Sequence, residues 1–182
     1  KKAEIELINY KTGKVVFSLN LKKKKSEYID LEAISVSEEK NEFSYYLNGF
    51  IYTHNLTTGK EIKKKKTEES FISCSYSPCG KYIFYSNGNG KIFRYDSKDL
   101  NIFKTAQKHN EGISSFVFNK SIMLTTGKES NGFFWDFDSL ECLGNFTNTS
   151  GGVCPGTFYS EEEFCIGGSG AVVQFFKVTS KF

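Results

Sequence analysis

The chain has 182 residues and a formal net charge of +3; 38% of its residues are hydrophobic and 16% aromatic, with 18 Phe and 10 Tyr. That length supports one domain with a real core. So aromatic a composition excludes a disordered polypeptide, and no apolar run reaches the roughly 18 residues of a membrane-spanning helix.

The charge is uneven. Residues 1–66 hold 14 Lys against 9 acids, and residues 67–182 hold 10 Lys and Arg against 12 acids. Attraction to an acidic partner therefore belongs to the first third. The chain opens at Lys1 directly in a strand-like pattern, so a piece of a longer protein is expected.

In chain order, "EIELINYKTGK" (Glu4–Lys14) is an alternating apolar stretch running into a polar turn. "LKKKKSEYIDL" (Leu21–Leu31) follows, and a similar run returns as "IKKKKTEESFI" (Ile62–Ile72), with Lys22 and Lys63 41 residues apart. The strand-and-turn pattern also returns, as "FIYTHNLTTGK" (Phe50–Lys60), "KIFRYDSKDL" (Lys91–Leu100), "GFFWDFDSLEC" (Gly132–Cys142) and "VVQFFKVTSK" (Val172–Lys181). Aligning the polar residue after each apolar stretch gives Asn9, Asn55, Asp96, Asp136 and Lys177, spaced 46, 41, 40 and 41. Chance does not hold that interval four times, so the chain is a repeat.

The third unit fills in as four short strands. "FISCSYSPCG" (Phe71–Gly80) ends in a Pro-Cys-Gly turn, and "KYIFYSN" (Lys81–Asn87) is the next strand. "NGNG" (Asn87–Gly90) is expected to be a tight hairpin turn with positive φ at both central positions. Asn48-Gly49 is expected to be the equivalent turn one unit earlier. "KIFRYD" and "NIFKTA" complete the unit. No segment shows a capped helical period. Short strands at even spacing predict an all-β repeat.

These residues resemble the WD40 β-propeller family, whose repeat of roughly 40–45 residues has four strands and ends in Trp-Asp. The fourth unit carries the likeness most fully. "HNEGISSFVF" (His109–Phe118) resembles the family's His-led first strand, and "MLTTGKESNGFFWDF" (Met123–Phe137) its Leu-Ala-Ser-Gly to Trp-Asp stretch. "YSPCG" resembles the family's Phe-Ser-Pro-Asp-Gly turn, with Cys79 replacing Asp. The resemblance covers essentially the whole chain. It implies propeller blades of four antiparallel strands: a half blade at 1–21, blades at 22–67, 68–109 and 110–149, and a three-stranded partial blade at 150–182. That makes 17 strands with the two ends overlapping by one, so the expectation is part of a larger ring of about seven blades.

Each candidate site has a structural and a functional reading. His109, Thr125, Glu129 and Trp135 look like a catalytic set, but the resemblance implies a structural hydrogen-bond chain within one blade, with Glu129 departing from the family's Asp. His54 falls at the Trp position of its own unit and is expected to be packed there. Lys22, Lys23, Lys24 and Lys25 are expected in the loop after an outer strand. Lys63, Lys64, Lys65 and Lys66 are expected to overlap the outer strand of the next blade. Lysines there protect a sheet edge, or they form a surface for an anionic partner, RNA or an acidic protein segment. No aromatic residue interleaves with them, and Glu27, Asp30, Glu68 and Glu69 flank them.

The five cysteines (Cys74, Cys79, Cys142, Cys154, Cys165) have neither disulfide-framework nor zinc spacing, and read as reduced, mostly buried thiols. The N-x-S/T sequons at Asn55, Asn119, Asn145 and Asn148 matter only in a secreted protein. Gly167, Gly168, Gly170 and "NGNGK" match no phosphate loop and read as hairpins. Glu161–Glu163 reads as a solvent-facing turn. No His/Asp/Glu set has metal spacing.

The sequence reading is a non-catalytic scaffold with protein partners, no cofactor, no metal, no membrane and no small-molecule substrate. The loops at Asn110–Gly112 and Lys128–Asn131 are the candidate rim contacts. The alternative is an RNA-associated subunit of a ribonucleoprotein, such as a pre-rRNA-processing assembly, and it rests on the lysine runs. An enzyme is disfavoured because no nucleophile–base pair lies outside the structural chain. The resemblance implies a eukaryotic protein of the cytoplasm or nucleus.

Overall fold

The computed structural model describes residues 3–9, 11–21, 31, 33–147, 156–168 and 172–178. Among them there is no helix, and none long and apolar enough to cross a membrane. The strands form five antiparallel sheets in which chain neighbours are sheet neighbours.

β1 (Ala3–Ile8) and β2 (Val15–Leu21) form a pair. β3 (Ala33–Ser37), β4 (Glu42–Leu47), β5 (Phe50–Asn55) and β6 (Glu61–Lys66) form a four-stranded sheet. So do β7 (Phe71–Tyr76), β8 (Tyr82–Asn87), β9 (Lys91–Asp96) and β10 (Ile102–Gln107), and β11 (Ile113–Phe118), β12 (Ile122–Gly127), β13 (Asn131–Asp136) and β14 (Glu141–Thr147). β15 (Gly156–Phe158), β16 (Glu163–Gly168) and β17 (Val172–Lys177) form a three-stranded sheet.

The core is a series of layers between sheets. Side chains alternate along a strand, so β8 sends Ile83 and Tyr85 toward β3–β6, where Ala33 and Ile51 meet them. It sends Tyr82 and Phe84 the other way, against Met123, Trp135 and Phe137. Leu124 and Phe134 then pack on Phe164 and Ile166 of the last sheet. Phe43 and Tyr45 pack on Phe17 and Leu19 of the first. A strand covered on both faces reads as a near-continuous apolar run, as in "YIFYSN"; the outer strand β10 is almost wholly exposed.

Polar bonds tie the same layers. Ser44 Oγ and Tyr85 Oη are 2.7 Å apart across the layer, and Ser73 donates to the carbonyl of Ile113 at 2.7 Å.

The turns after β1, β5, β9 and β13 share a left-handed residue at one place: Gly13 (φ 65), Gly59 (φ 69), Leu100 (φ 57) and Leu140 (φ 55). For a leucine this backbone costs about 1–2 kcal/mol. Both leucines are buried in the layers, and burying a leucine side chain contributes about 1.5–3 kcal/mol, enough to offset the strain.

The two Asn-Gly pairs are not equivalent turns, contrary to the sequence expectation. Asn48 (φ 51) and Gly49 (φ 80) both adopt positive φ in a two-residue hairpin. In the next sheet only Gly90 (φ 75) does. There the Asn87 side chain accepts the N–H groups of Asn89 and Lys91 at 3.1 Å, which stabilises a longer loop. A Cβ on Gly90 would lie 2.5 Å from the Glu111 carbonyl oxygen, so the neighbouring loop demands glycine.

β2, β6, β10 and β14 also each carry a bulge at one place, which leaves Val16, Ile62, Phe103 and Leu143 without a ladder partner. A bulge twists an edge strand and interrupts its pairing.

The chain's one arginine fills a position the sequence reading passed over. Arg94, on β9, is 1% exposed. Its Nη1 donates to the carbonyls of Phe137 (2.9 Å) and Asp138 in the next sheet. Its guanidinium lies over the rings of Tyr82 (4.4 Å) and Phe103 (4.8 Å). Carbonyl dipoles and ring faces thus stand where a carboxylate would be expected. Replacing Arg94 by alanine removes charged hydrogen bonds of about 1.5–3 kcal/mol. Arg94→Ala is therefore expected to lower the urea midpoint clearly. Lys104→Ala, which loses only an exposed bond to the Ser139 carbonyl, is expected to stay within about 0.5 kcal/mol of the parent.

Candidate functional site

His109 lies just after β10 and is fully buried, as is Thr125 on β12. Trp135 Nε1 donates to Thr125 Oγ1 at 2.8 Å, and His109 Nε2 is 2.8 Å from the same oxygen. An indole N–H only donates. The Thr125 oxygen accepts from it, and its own hydroxyl proton is free to go to His109 Nε2. That leaves the ring proton on Nδ1, where it donates to Glu129 Oε1. Glu129 also accepts from the backbone N–H of Asn110 at 3.2 Å. The His109 ring meets Phe133 edge-on at 4.6 Å.

His109, Thr125, Glu129 and Trp135 therefore sit together. The order of groups, hydroxyl to imidazole to carboxylate, is that of a nucleophile relay. The hydroxyl, however, has no face open to a substrate, and both of its roles are taken within the blade.

Corresponding positions in the two preceding sheets are filled differently. His54 stands opposite Phe43 as Trp135 stands opposite Met123. It is buried and stacked on Phe43 (5.2 Å) and Tyr45 (5.5 Å). Its Nδ1–H donates to the Gly59 carbonyl at 2.9 Å, and Nε2 is 3.3 Å from the Tyr45 hydroxyl. Burial, with the charges of Tyr52 and Glu61, pushes the Tyr45 phenol well up. In the next sheet Tyr85 takes the Thr125 position; its bond crosses to Ser44 instead of staying within the blade.

The loops around Asn110–Gly112 and Lys128–Asn131 are joined, Lys128 N–H bonding to the Gly112 carbonyl at 3.0 Å. Between Lys108, just past β10, and the first part of β14 lies a groove of about 530 Å³, lined also by Phe133, Cys142 and Gly144 among others.

Lys22, Lys23, Lys24 and Lys25 lie outside the described residues. Lys63, Lys64, Lys65 and Lys66 lie on β6, which pairs only with β5. Lys63 faces Glu42 at 3.7 Å, and Lys65 donates to Asn101 Oδ1 of the next sheet at 2.7 Å. Lys64 Nζ sits over Phe50 (4.3 Å) and Tyr52 (5.0 Å) on the opposite face. Lys64 and Lys66 are exposed. Aromatics thus do accompany these lysines, across the strand pair instead of along the chain. The β5–β6 register, Phe50 with Lys66 and Tyr52 with Lys64, brings them together. The "FIY" run twelve residues upstream is the sequence signal that pairing would have revealed.

The acidic turn does more than face solvent: Lys120 pairs with Glu161, and Asn119 donates to the Glu161 carbonyl at 2.9 Å. Gly167 and Gly168 close β16, and Gly170 lies outside the described residues, as does Cys154. Cys74 is half-buried, and burial pushes its thiol well up. No three His, Cys, Asp or Glu among the described residues could hold a metal ion.

Burial lowers the His109 imidazole below its ordinary value of 6.5, with Glu129 opposing. The unfolded chain therefore takes up this proton first. The contribution is full above about pH 6.5 and is lost progressively as pH falls from there through the lower folded value. Urea unfolding between pH 7.5 and 5.5 should show stability falling, with a shallower fall in His109→Gln. Thr125→Val should cost about 1–3 kcal/mol for each of the two groups it orphans, and Thr125→Ser should recover most of the loss.

No protein-family profile matches the chain. A curated relative, eukaryotic translation initiation factor 3 subunit I of Candida glabrata, is 23% identical over 130 residues, which is 70% of this chain. The chain spans 35% of that relative's length. Among solved structures, the Pan2 WD40 domain of Neurospora crassa superposes with a TM-score of 0.79 at 12% identity, over 96% of this chain and 56% of that one. A chain of the mitotic checkpoint complex gives 0.72 at 21%, over 82% and 48%. The computationally designed Ika4 protein gives 0.70 at 13%, over 85% and 94%. Four-stranded antiparallel sheets stacked in series, a His–Thr–Trp bond chain in one of them and these likenesses agree: the chain folds as a run of WD40-type β-propeller blades.

Proposed function

We propose that the chain is a non-catalytic scaffold that holds protein partners within a multi-subunit complex. One observation carries this reading. The polar side chains most able to do chemistry, His109, Thr125 and Glu129, are buried and bonded to one another within one blade. The rim loops, the groove beside β14 and the edge of β6 meet solvent and vary from blade to blade. Loops and edges on a rigid frame are where binding concentrates.

The relative named above is a subunit of a translation initiation factor, which supports membership of a multi-subunit assembly. The same likeness supports, as the finer reading, a place in the translation machinery. The test is affinity purification of the full-length protein from its own cells, with and without ribonuclease, followed by gel filtration and mass spectrometry. Stoichiometric protein partners that persist after ribonuclease are expected. Elution of the protein alone, or loss of every partner on ribonuclease treatment, would overturn the scaffold reading.

A further inference from the structure

The edge of β6 has a polarity that the scaffold reading leaves unused. Thr67, just past β6, donates its N–H to the Gly49 carbonyl at 2.9 Å. In an antiparallel pair hydrogen-bonded and non-bonded residue pairs alternate. Lys65 and Lys63 therefore turn their backbone groups inward to Ile51 and Thr53, their register partners. Lys64 and Lys66 turn theirs outward, away from β5. Their side chains share one face, above Phe50 and Tyr52, while Lys63 and Lys65 occupy the other. The bulge at Ile62 ends regular pairing on one side, and Glu68 ends the positive stretch on the other. What remains is an edge of four residues, roughly 10 Å long.

From this we infer that β6 captures an extended acidic peptide by strand addition. The segment would hydrogen-bond to the outward backbone of Lys64 and Lys66 and carry carboxylates at alternate positions opposite those two lysines. The inference rests on the scaffold reading and names the chemistry of one partner.

Charge decides what this edge accepts. A second copy of β6 would set lysine against lysine, and like charges directly opposite are destabilising. An acidic strand meets the same edge with attraction. Each carboxylate would stand about 5 Å from its lysine in Cβ separation, and the lysine is already held in place by a ring bed in the case of Lys64. Lys63 and Lys65 already have Glu42 and Asn101, so the demand for acid falls on every second residue. A nucleic acid strand would use the charges but has no amide ladder to satisfy the outward backbone groups.

The experiment measures binding to the full chain by fluorescence polarisation, with three synthetic probes. The first is a short peptide with Glu at alternate positions, the second a permuted peptide with the same glutamates contiguous, and the third oligouridylate. Amide hydrogen exchange at Lys64 and Lys66 is followed with each. The alternating peptide is expected to bind about tenfold more tightly than the permuted one and to slow exchange at both amides. Backbone N-methylation of the peptide, or the double change Lys64→Glu and Lys66→Glu in the protein, should abolish the effect; a circular-dichroism melt checks that the variant folds. Equal binding of the two peptides, no protection of those amides, or protection by oligouridylate alone would overturn the inference. If the double variant still retrieves its stoichiometric partners from cells and the peptide effects are absent, the strand-addition site fails while the scaffold reading stands.

Discussion

A sheet in the middle of a stack has another sheet on either side, so its inner strands must be apolar on both faces. That constraint organises the molecule. β8 shows it most fully: Ile83 and Tyr85 serve one layer, Tyr82 and Phe84 the next. No sheet here is stable on its own terms, because each hides one face only by lending it to a neighbour. The aromatic content follows from the same demand. Phe, Tyr and Trp bury 150–250 Å² each, and a thin layer between two sheets is filled by few large rings more readily than by many small side chains.

Within that frame the polar groups differ from blade to blade. The sheet containing Trp135 pairs that side chain internally, through Thr125 and His109. The sheet before it places Tyr85 at the equivalent position and reaches across the layer to Ser44. The one before that uses His54 and Tyr45. All three solutions obey one rule, that a buried polar group must find a partner. They couple the blades differently, since an internal chain stiffens one sheet and a crossing bond locks two together. Arg94 belongs to the second kind, bonding to carbonyls one blade on.

The outer strands live under the opposite constraint. They have one paired side, and a free edge invites unwanted pairing. Bulges at Val16, Ile62, Phe103 and Leu143 break the regularity of these edges, and lysines charge the edge of β6. A charged edge is selective, not inert, because it repels its own kind and admits its opposite. Edge protection and the proposed recognition draw on one set of residues.

The repeat interval, the strand identities and the stacked all-β architecture were legible in the sequence. Period-two alternation and turn residues are local, and a spacing near 41 residues repeats them often enough to exclude accident. The grouping of His109, Thr125, Glu129 and Trp135 was legible too, since all four belong to one contiguous family motif, His109–Phe137. What tertiary structure alone decided lies in contacts beyond the local pattern, several of them between units. Arg94 finds its carbonyls 43 and 44 residues away, and Tyr85 finds Ser44 at a distance of 41. Lys64 finds its aromatic bed only through the β5–β6 register. The second Asn-Gly pair folds unlike the first because the Asn87 side chain and the Glu111 loop impose another turn. Local pattern tells each residue which face it occupies; what stands on that face is set by pairing with a neighbouring strand or by packing against one a full repeat away.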